Sequence, residues 1–290
     1  MVSTDKNFQD PARDEILSLD HLPPLAFATV RLIELASDPD LEIAELASVI
    51  ELDPPLTARV LSLANSAYFG QRTPIVSVRR AIVQVLGLDR VRSLCLVMAL
   101  AGSFNTRRCR DFNIDDYWLH ALLTAAVAAA IGRRVGNAQE LPIDSLYLCG
   151  LLQNIGVLVL VHVRPVEMSR VYAAVEKDRT LDRLCVEQDL LGIDHRQAGE
   201  WLAFHWHLPE VVVRTLGNIA DPGYQGEHAA VVDIVRAASR WADDCLNSKE
   251  STLSVAGVAE ETSHSVQEEV LGRLKRLRAL AGAFTQRVPV

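Results

Sequence analysis

The chain has 290 residues, of which 49% are hydrophobic and 23% charged, and its formal net charge is −8. This composition is typical of a globular protein that buries one large core or two smaller ones. The negative charge opposes non-specific attraction to phosphate backbones, so a nucleic-acid-binding protein is not expected. Ala, Leu and Val dominate the apolar stretches and aromatics are only 6%, which predicts a nearly all-helical chain.

The sequence predicts a cytoplasmic protein without a membrane span. The segment from Met1 to Asp20 carries acids and lacks the apolar core of a signal peptide. Only the stretch from Ser145 to Val163 imitates a span, and Gln153 and Asn154 interrupt it, so we expect a buried core helix. The five cysteines are an odd number without a CxxC pair, as is typical of a reducing compartment.

Residues 1–18 are predicted to be an N-terminal extension, and short capped helices are predicted over about residues 19–110. Apolar spacing and turn residues give helices at about 41–52, 53–67, 78–86 and 89–104. Their predicted N-caps, where a side chain precedes the helix, are Asp53, Ser77 and Asp89.

Longer helices are predicted from residue 115 onwards. One covers Asp116 to Val135, and the next runs from Pro142 to about Val163 with Gln153 and Asn154 in its middle. Thr180 and Asp194 are the predicted caps of later helices, and the last helix of the body is predicted from Glu227 to Cys245.

The tail, residues 246–290, is predicted to be a polar linker followed by an amphipathic C-terminal helix. Ser265-x-x-Glu268 resembles a capping box. Acids early and bases late in this helix match the helix dipole. Packing of the helix on the body and pairing with a partner helix both remain open.

A set of short motifs follows one another along the chain: Leu22-Pro23-Pro24-Leu25, Asp53-Pro54-x-Leu56-Thr57, Leu63-Ala64-Asn65-Ser66-Ala67, Ile75, Ala81-Ile82, Leu86-Gly87, Gly150-Leu151-Leu152 and Asp194-His195. In this order and spacing the chain resembles the HDOD domain over roughly Leu19 to Asp221. The resemblance implies an all-α HDOD fold related to the HD phosphohydrolases and HD-GYP phosphodiesterases. It implies two lobes, an N-terminal lobe of short helices at about 19–110 and an HD-like lobe at about 112–245. It also implies a bacterial signalling module, which generally lacks a complete metal site.

The resemblance places four residues at metal-ligand positions of the HD superfamily: His120, Gln153, Asn154 and His195. Gln153 and Asn154 stand where catalytic relatives have a His-Asp pair. An amide brings neither the anionic charge nor the imidazole nitrogen that a catalytic divalent metal requires. We therefore predict a degenerate site with no catalytic residue, no metal and no cofactor. His120 could hydrogen-bond to the two amides or remain a ligand, and His195 could pack in a first helical turn or remain a ligand.

Later ligand positions are also replaced in this chain. A possible His-His position reads Leu216-Gly217-Asn218, and the closing aspartate position falls on Ser239, with Asp233 nearby but out of register. The carboxylates of Asp115-Asp116 and Asp243-Asp244 are interpreted as helix-end charges.

Asn65, Ser66, Tyr68, Arg79 and Arg80 form the candidate surface for a partner or an effector. Asn65 and Ser66 lie where an apolar helix ends among small residues, and they act either as a structural cap or as a recognition surface between the lobes. The two arginines either stabilise a helix end or bind the phosphates of a nucleotide.

The sequence thus predicts a non-catalytic regulatory module that binds signalling proteins and, in a cleft between its two lobes, a small effector. Two alternatives stay open. The first is a metal-dependent phosphohydrolase or cyclic-di-nucleotide phosphodiesterase with a rearranged site. The second is a nucleotide-binding sensor without turnover. The identity of the partner and the oligomeric state do not follow from the sequence.

Overall fold

A computed structural model describes residues 22–66, 68–135, 141, 143–247 and 252–285. Within these ranges the protein is helical and contains no strand, which confirms the predicted all-α fold. The predicted extension at residues 1–18 and part of the predicted linker, residues 248–251, lie outside the described residues. The division into two lobes and the domain limits stay predictions.

The first part of the chain forms short helices: α1 (Phe27–Leu35), α2 (Ile43–Glu51), α3 (Pro54–Ala64), α4 (Val78–Arg80), which continues as a π-helical segment (Ala81–Leu86), and α5 (Leu88–Gly102). The Asp53 carboxylate accepts the backbone N–H of Leu56, and the Ser77 hydroxyl accepts that of Arg80, as expected for N-caps. The prediction for Asp89 is wrong, because α5 begins at Leu88 and Asp89 lies in its first turn.

The second part is built from α6 (Ile114–Val135), α7 (Ile143–Leu152), α8 (Ile155–Val163), α9 (Pro165–Lys177), α10 (Arg183–Leu191), α11 (His195–His205), α12 (Glu210–Asn218), α13 (Ala229–Leu246), α14 (Glu260–Leu271) and α15 (Leu274–Thr285). Asp194 caps α11 in a capping box with Gln197. The prediction for Thr180 is wrong: Asp182 caps α10, while Thr180 bonds to Asp178.

Helix α6 lies at the centre of this part and packs against α7, α13, α14 and α15. Two segments, Ile114–Val135 and Ile143–Val163, are long and apolar enough to cross a membrane, and 78% of the most apolar window of each is buried in the protein. The expectation that only the stretch from Ser145 to Val163 imitates a span is therefore wrong. Both are accounted for as core helices of this helical body.

The predicted continuous helix from Pro142 to Val163 is broken at Gln153 and Asn154, between α7 and α8. Two glycines flank the break and allow close helix packing. A Cβ on Gly150 would lie 2.6 Å from the Cα of Ala125 on α6, and a Cβ on Gly156 would lie 1.8 Å from the carbonyl oxygen of His195 on α11. The break therefore lies where α7 packs closely on α6 and α8 packs closely on α11.

The tail packs on the body as two helices, α14 and α15, which both contact α6. The predicted capping box is wrong, because α14 begins at Glu260 and Ser265 lies in its interior. Phe284 is buried against Trp118, with ring centroids 4.6 Å apart, and Arg134 Nη2 lies 2.6 Å from Glu269 Oε2.

Candidate functional site

His120 lies buried on α6 and faces the break between α7 and α8. Its Nδ1 atom lies 3.1 Å from Gln153 Nε2 and 3.3 Å from Asn154 Nδ2. Because an amide nitrogen only donates hydrogen bonds, Nδ1 is the acceptor and Nε2 carries the proton. Nε2 then donates to Asp243 Oδ1, 3.1 Å away, and the backbone oxygen of Ser239 lies 3.3 Å from it.

Ser239 contacts the far end of the Gln153 amide. Its hydroxyl donates to Gln153 Oε1 over 3.1 Å, and the NH₂ group of Gln153 faces His120. The Gln153 side chain is buried, and both ends of its amide are hydrogen-bonded. Three of the four predicted metal-ligand positions, His120, Gln153 and Asn154, thus form a hydrogen-bond network from α13 through the helix break to α6, and His195 lies outside it.

This network does not fit a divalent metal ion. A histidine binds a metal through a nitrogen lone pair, and the lone pair of His120 Nδ1 already accepts the two amide N–H groups. Its other nitrogen carries a proton that faces Asp243. Among the described residues there is no group of three or more His, Cys, Asp or Glu side chains that could hold a metal ion.

Asp243 is part of this site, so its interpretation as only a helix-end charge is wrong. It lies one helical turn after Ser239, which contributes its hydroxyl and carbonyl oxygens. Partial burial acts to raise the pKa of Asp243, but the hydrogen bond from His120 and the nearby Arg183 outweigh it and lower this pKa below its usual value. Asp233, in contrast, pairs with Arg236 on its own helix.

A second buried cluster surrounds His195 in the first turn of α11. Its Nδ1 atom lies 2.6 Å from Glu187 Oε2, and its backbone N–H donates to the same oxygen over 2.8 Å. Arg183 Nη2 lies 3.2 Å from Nε2, and Arg183 Nε lies 3.4 Å from Glu187 Oε1. Since a guanidinium has only donors, Nε2 accepts and the ring proton sits on Nδ1.

The charges in this cluster shift two pKa values. Burial, followed by the positive charge of Arg183, lowers the pKa of His195. Burial acts to raise the pKa of Glu187, but His195 and Arg183 outweigh it and lower this pKa. The cluster therefore holds an ionised carboxylate and a guanidinium on either side of an imidazole, and sequence analysis found neither Arg183 nor Glu187.

A cavity of about 660 Å³ opens beside His120, among α6, α8, α9, α13 and α15. Its lining includes His120, Asn154, Arg183 and Asp243, so it reaches both polar clusters. The predicted effector cleft was expected between the lobes instead. A second cavity, of about 470 Å³, lies between the α1 and α5 region and the α7 and α12 region.

The candidate surface on α3 and α4 is separate from both cavities. Asn65 has a structural role, because its amide accepts the backbone N–H of Ile75 over 2.8 Å and donates to the carbonyl oxygens of Ile75 and Leu61. Ser66 Oγ is buried without a hydrogen-bond partner among the described residues.

The other members of this surface are more accessible. Tyr68 packs edge-on against Phe69, and Arg79 and Arg80 are exposed, with Arg80 contacting Gln84. A role of these residues in binding stays a prediction.

Comparison with known families gives a match to the family model described as the HDOD domain over residues 22–222. An uncharacterized protein of Treponema pallidum is 27% identical over 198 residues. The match covers 68% of this chain and 37% of that protein, so the chain spans little more than a third of this curated relative.

Three solved structures share the fold. A protein from Marinobacter aquaeolei, provisionally named a signal transduction protein, is 27% identical with a TM-score of 0.79, over 96% of this chain and 62% of that one. An HDOD domain protein of unknown function from Geobacter sulfurreducens is 24% identical with a TM-score of 0.74, over 95% and 97% of the two chains. A protein from Shewanella amazonensis, provisionally named a phosphohydrolase, is 21% identical with a TM-score of 0.73, over 96% and 99%. The last two similarities concern the fold alone.

Proposed function

The chain belongs to the HDOD domain family, and we propose on this basis that it is a non-catalytic regulatory module of bacterial signal transduction. In this proposal it works in the cytoplasm by binding signalling proteins, without hydrolysing a substrate. The similarity to the Marinobacter protein that is provisionally named for signal transduction supports the regulatory part of the proposal.

The non-catalytic part of the proposal rests on the hydrogen bonding of the His120 ring. Its Nδ1 lone pair accepts the amide N–H groups of Gln153 and Asn154, at 3.1 and 3.3 Å. A hydrolytic metal centre lowers the pKa of a bound water, which requires several nitrogen and carboxylate ligands around one ion. Metal binding here would break this hydrogen-bond network and leave the buried amide donor of Gln153 unpaired, at a cost of about 1–3 kcal/mol.

Metal content and hydrolysis measured on one preparation test this proposal. We expect the purified protein to contain far less than one metal ion per chain by plasma mass spectrometry. We also expect no turnover of cyclic-di-nucleotides or phosphate monoesters with added Mn²⁺. Stoichiometric metal together with turnover would overturn the non-catalytic proposal.

The double variant Gln153→His/Asn154→Asp sharpens the test. Asp243 lies at the Nε2 edge of His120, while positions 153 and 154 face the Nδ1 edge. Asp243 therefore orients the imidazole and cannot join the two new side chains around one ion. We expect no hydrolysis by this variant, with Gln153→Asn/Asn154→Gln as an amide-preserving control. Turnover by the double variant would contradict this assignment of Asp243.

A further inference from the structure

The cavity beside His120 carries an excess of negative charge. Five carboxylates line it, from Asp111, Asp115, Asp116, Glu176 and Asp243. The lining has two guanidiniums, and that of Arg183 is paired with Glu187, just as the carboxylate of Glu176 is paired with Arg179. A cavity with this balance attracts cations and repels phosphates, because low-dielectric walls strengthen the field of its charges.

Aromatic rings form another part of the same wall. Phe112 lies between Tyr117 and Tyr172, with its ring centroid 6.0 Å from each of theirs, and all three residues line the cavity. Faces of aromatic rings attract ammonium and guanidinium groups within about 6 Å. Carboxylates combined with aromatic rings are therefore suited to an organic cation.

The Tyr117 hydroxyl has no hydrogen-bond partner in the part of the chain that the structure describes, which is an independent indication of a ligand. The Tyr117 side chain is 7% exposed, and its hydroxyl oxygen is buried without a hydrogen-bond partner among the described residues. Buried hydroxyls are normally hydrogen-bonded, and an unpaired one costs about 1–3 kcal/mol. Burial also raises the pKa of Tyr117, so the group stays a neutral phenol, and a turn of the ring toward the cavity that Tyr117 lines would let its oxygen accept an N–H from a bound cation.

The distribution of the carboxylates distinguishes an organic cation from a metal ion. Among the described residues, no three acidic, histidine or cysteine side chains converge closely enough to hold an ion. The carboxylates are instead spread around about 660 Å³, a size typical of small-molecule sites. An elongated molecule with several positive charges can reach carboxylates that one small ion cannot.

We propose that this cavity binds an organic cation with aliphatic ammonium or guanidinium groups. Such groups are carried by a free polyamine and by the lysine or arginine side chains of a protein partner. The inference rests on the proposed regulatory function and deepens it, since it assigns ligand binding in place of hydrolysis to the cavity beside His120. Arg278 of α15, which lines the cavity, is then a resident positive charge that opposes the ligand.

Calorimetric titrations with spermidine and with N-acetyl-arginine amide test the inference on the full chain. We expect binding that weakens with added salt, because screening reduces the attraction between the charges. Binding of spermidine alone supports a free polyamine, and binding of the capped arginine supports a side chain of a partner. Absence of heat with both cations, or stronger binding of inorganic phosphate or Mn²⁺ than of either, would overturn the inference.

Three variants locate the binding in this cavity. Asp243→Asn should raise the dissociation constant of the cation roughly tenfold, because a nearby carboxylate charge is lost. Tyr117→Phe, which removes only the unpaired hydroxyl, should raise it by about fivefold. Arg278→Ala should lower it severalfold, an opposite effect that misfolding would not produce.

Asp244→Asn is the matched control, since Asp244 adjoins Asp243 on α13 but is not in the cavity lining. We expect it to leave the dissociation constant within about twofold of the parent value. Equal effects of Asp243→Asn and Asp244→Asn would contradict the proposed location. These outcomes are independent of the hydrolysis assay: turnover would overturn the proposed function, whereas failed cation binding would leave the protein a non-catalytic module with another ligand.

Discussion

At the scale of single residues, Glu187 is the most constrained ionisable group of the site. Its side chain is fully buried, and Oε2 accepts hydrogen bonds from both the ring and the backbone of His195. A buried carboxylate is costly unless charged and hydrogen-bonded partners offset its desolvation, and here Arg183 and His195 do so. Removing its charge would leave Arg183 without its buried counter-ion.

We expect Glu187→Gln to lower the free energy of unfolding by about 3 kcal/mol, because it removes a fully buried carboxylate that accepts two hydrogen bonds from His195 and pairs with the half-buried Arg183. Glu176→Gln is the matched control, since Glu176 pairs with Arg179 over 3.4 Å while its side chain is 79% exposed. This control should change stability by less than about 0.5 kcal/mol. Urea unfolding followed by circular dichroism measures both changes, and similar values for the two variants would contradict the assigned role of Glu187.

The same cluster makes stability depend on pH. The pKa of His195 is lowered in the folded protein, so the unfolded chain takes up its proton first as the pH drops below about 6.5, and stability falls. The pKa of Glu187 is also lowered, so its contribution is present above about 4.5 and is lost as the pH falls through the folded value. Both groups therefore make the protein less stable in acid. Unfolding of the parent protein at pH 7.5, 6 and 5 checks the first step.

His120, Gln153 and Asn154 can be placed at one site from the sequence because the family resemblance supplies their spatial relation. It missed Asp243 because the contact to His120 joins distant helices, although Asp243 lies one turn beyond Ser239, on the same face of α13. It missed Arg183 and Glu187 as well, even though their i,i+4 spacing is that of a helical ion pair. What the sequence could not give was their burial, which depends on the packing of α10 against the rest of the protein.

At the scale of the helices, the junction of α7 and α8 positions the amide pair. The sequence predicts one helix here, because residues 143–163 are apolar almost throughout and contain no proline, and an isolated glycine is tolerated within a helix. Capping by Asp53, Ser77 and Asp194 was predictable because a cap is a local interaction. The break depends instead on close contacts with α6 and α11, in which Gly150 and Gly156 have no room for a side chain.

We expect Gly156→Ala to destabilise the protein by about 3 kcal/mol, because the added methyl group would overlap with the backbone of α11. A Cβ at this position would lie 1.8 Å from His195 O and 2.5 Å from Gly199 N, which are both backbone atoms. Gly282→Ala is the control, since a Cβ there has nothing within 4 Å and alanine favours a helix interior by about 1 kcal/mol. Thermal unfolding should show opposite shifts, and a neutral Gly156→Ala would mean that α8 and α11 lie further apart.

At the scale of the whole molecule, the tail determines whether the cavity is closed on one side. Helix α15 contributes Arg278, Ala281 and Gly282 to the cavity, and the Thr285 hydroxyl donates to Asp115 Oδ1 over 2.7 Å. The sequence left open whether this helix pairs with a partner, because an amphipathic stripe does not identify the surface that covers it. In the structure the stripe is covered by α6, so release of α15 would expose apolar surface and open the cation site together.

Phe284→Ala tests this arrangement in solution. Phe284 is 6% exposed against Trp118, so its truncation should cost about 3 kcal/mol through lost burial and the cavity left behind. Phe27→Ala is the matched control, because Phe27 is 70% exposed, and its truncation should change stability by less than about 0.5 kcal/mol. Urea unfolding of both variants, monitored by Trp fluorescence, gives the comparison. Equal stabilities of the two variants would mean that α15 does not stay on α6 in solution, and the wall of the cavity that it forms would then be open to a partner.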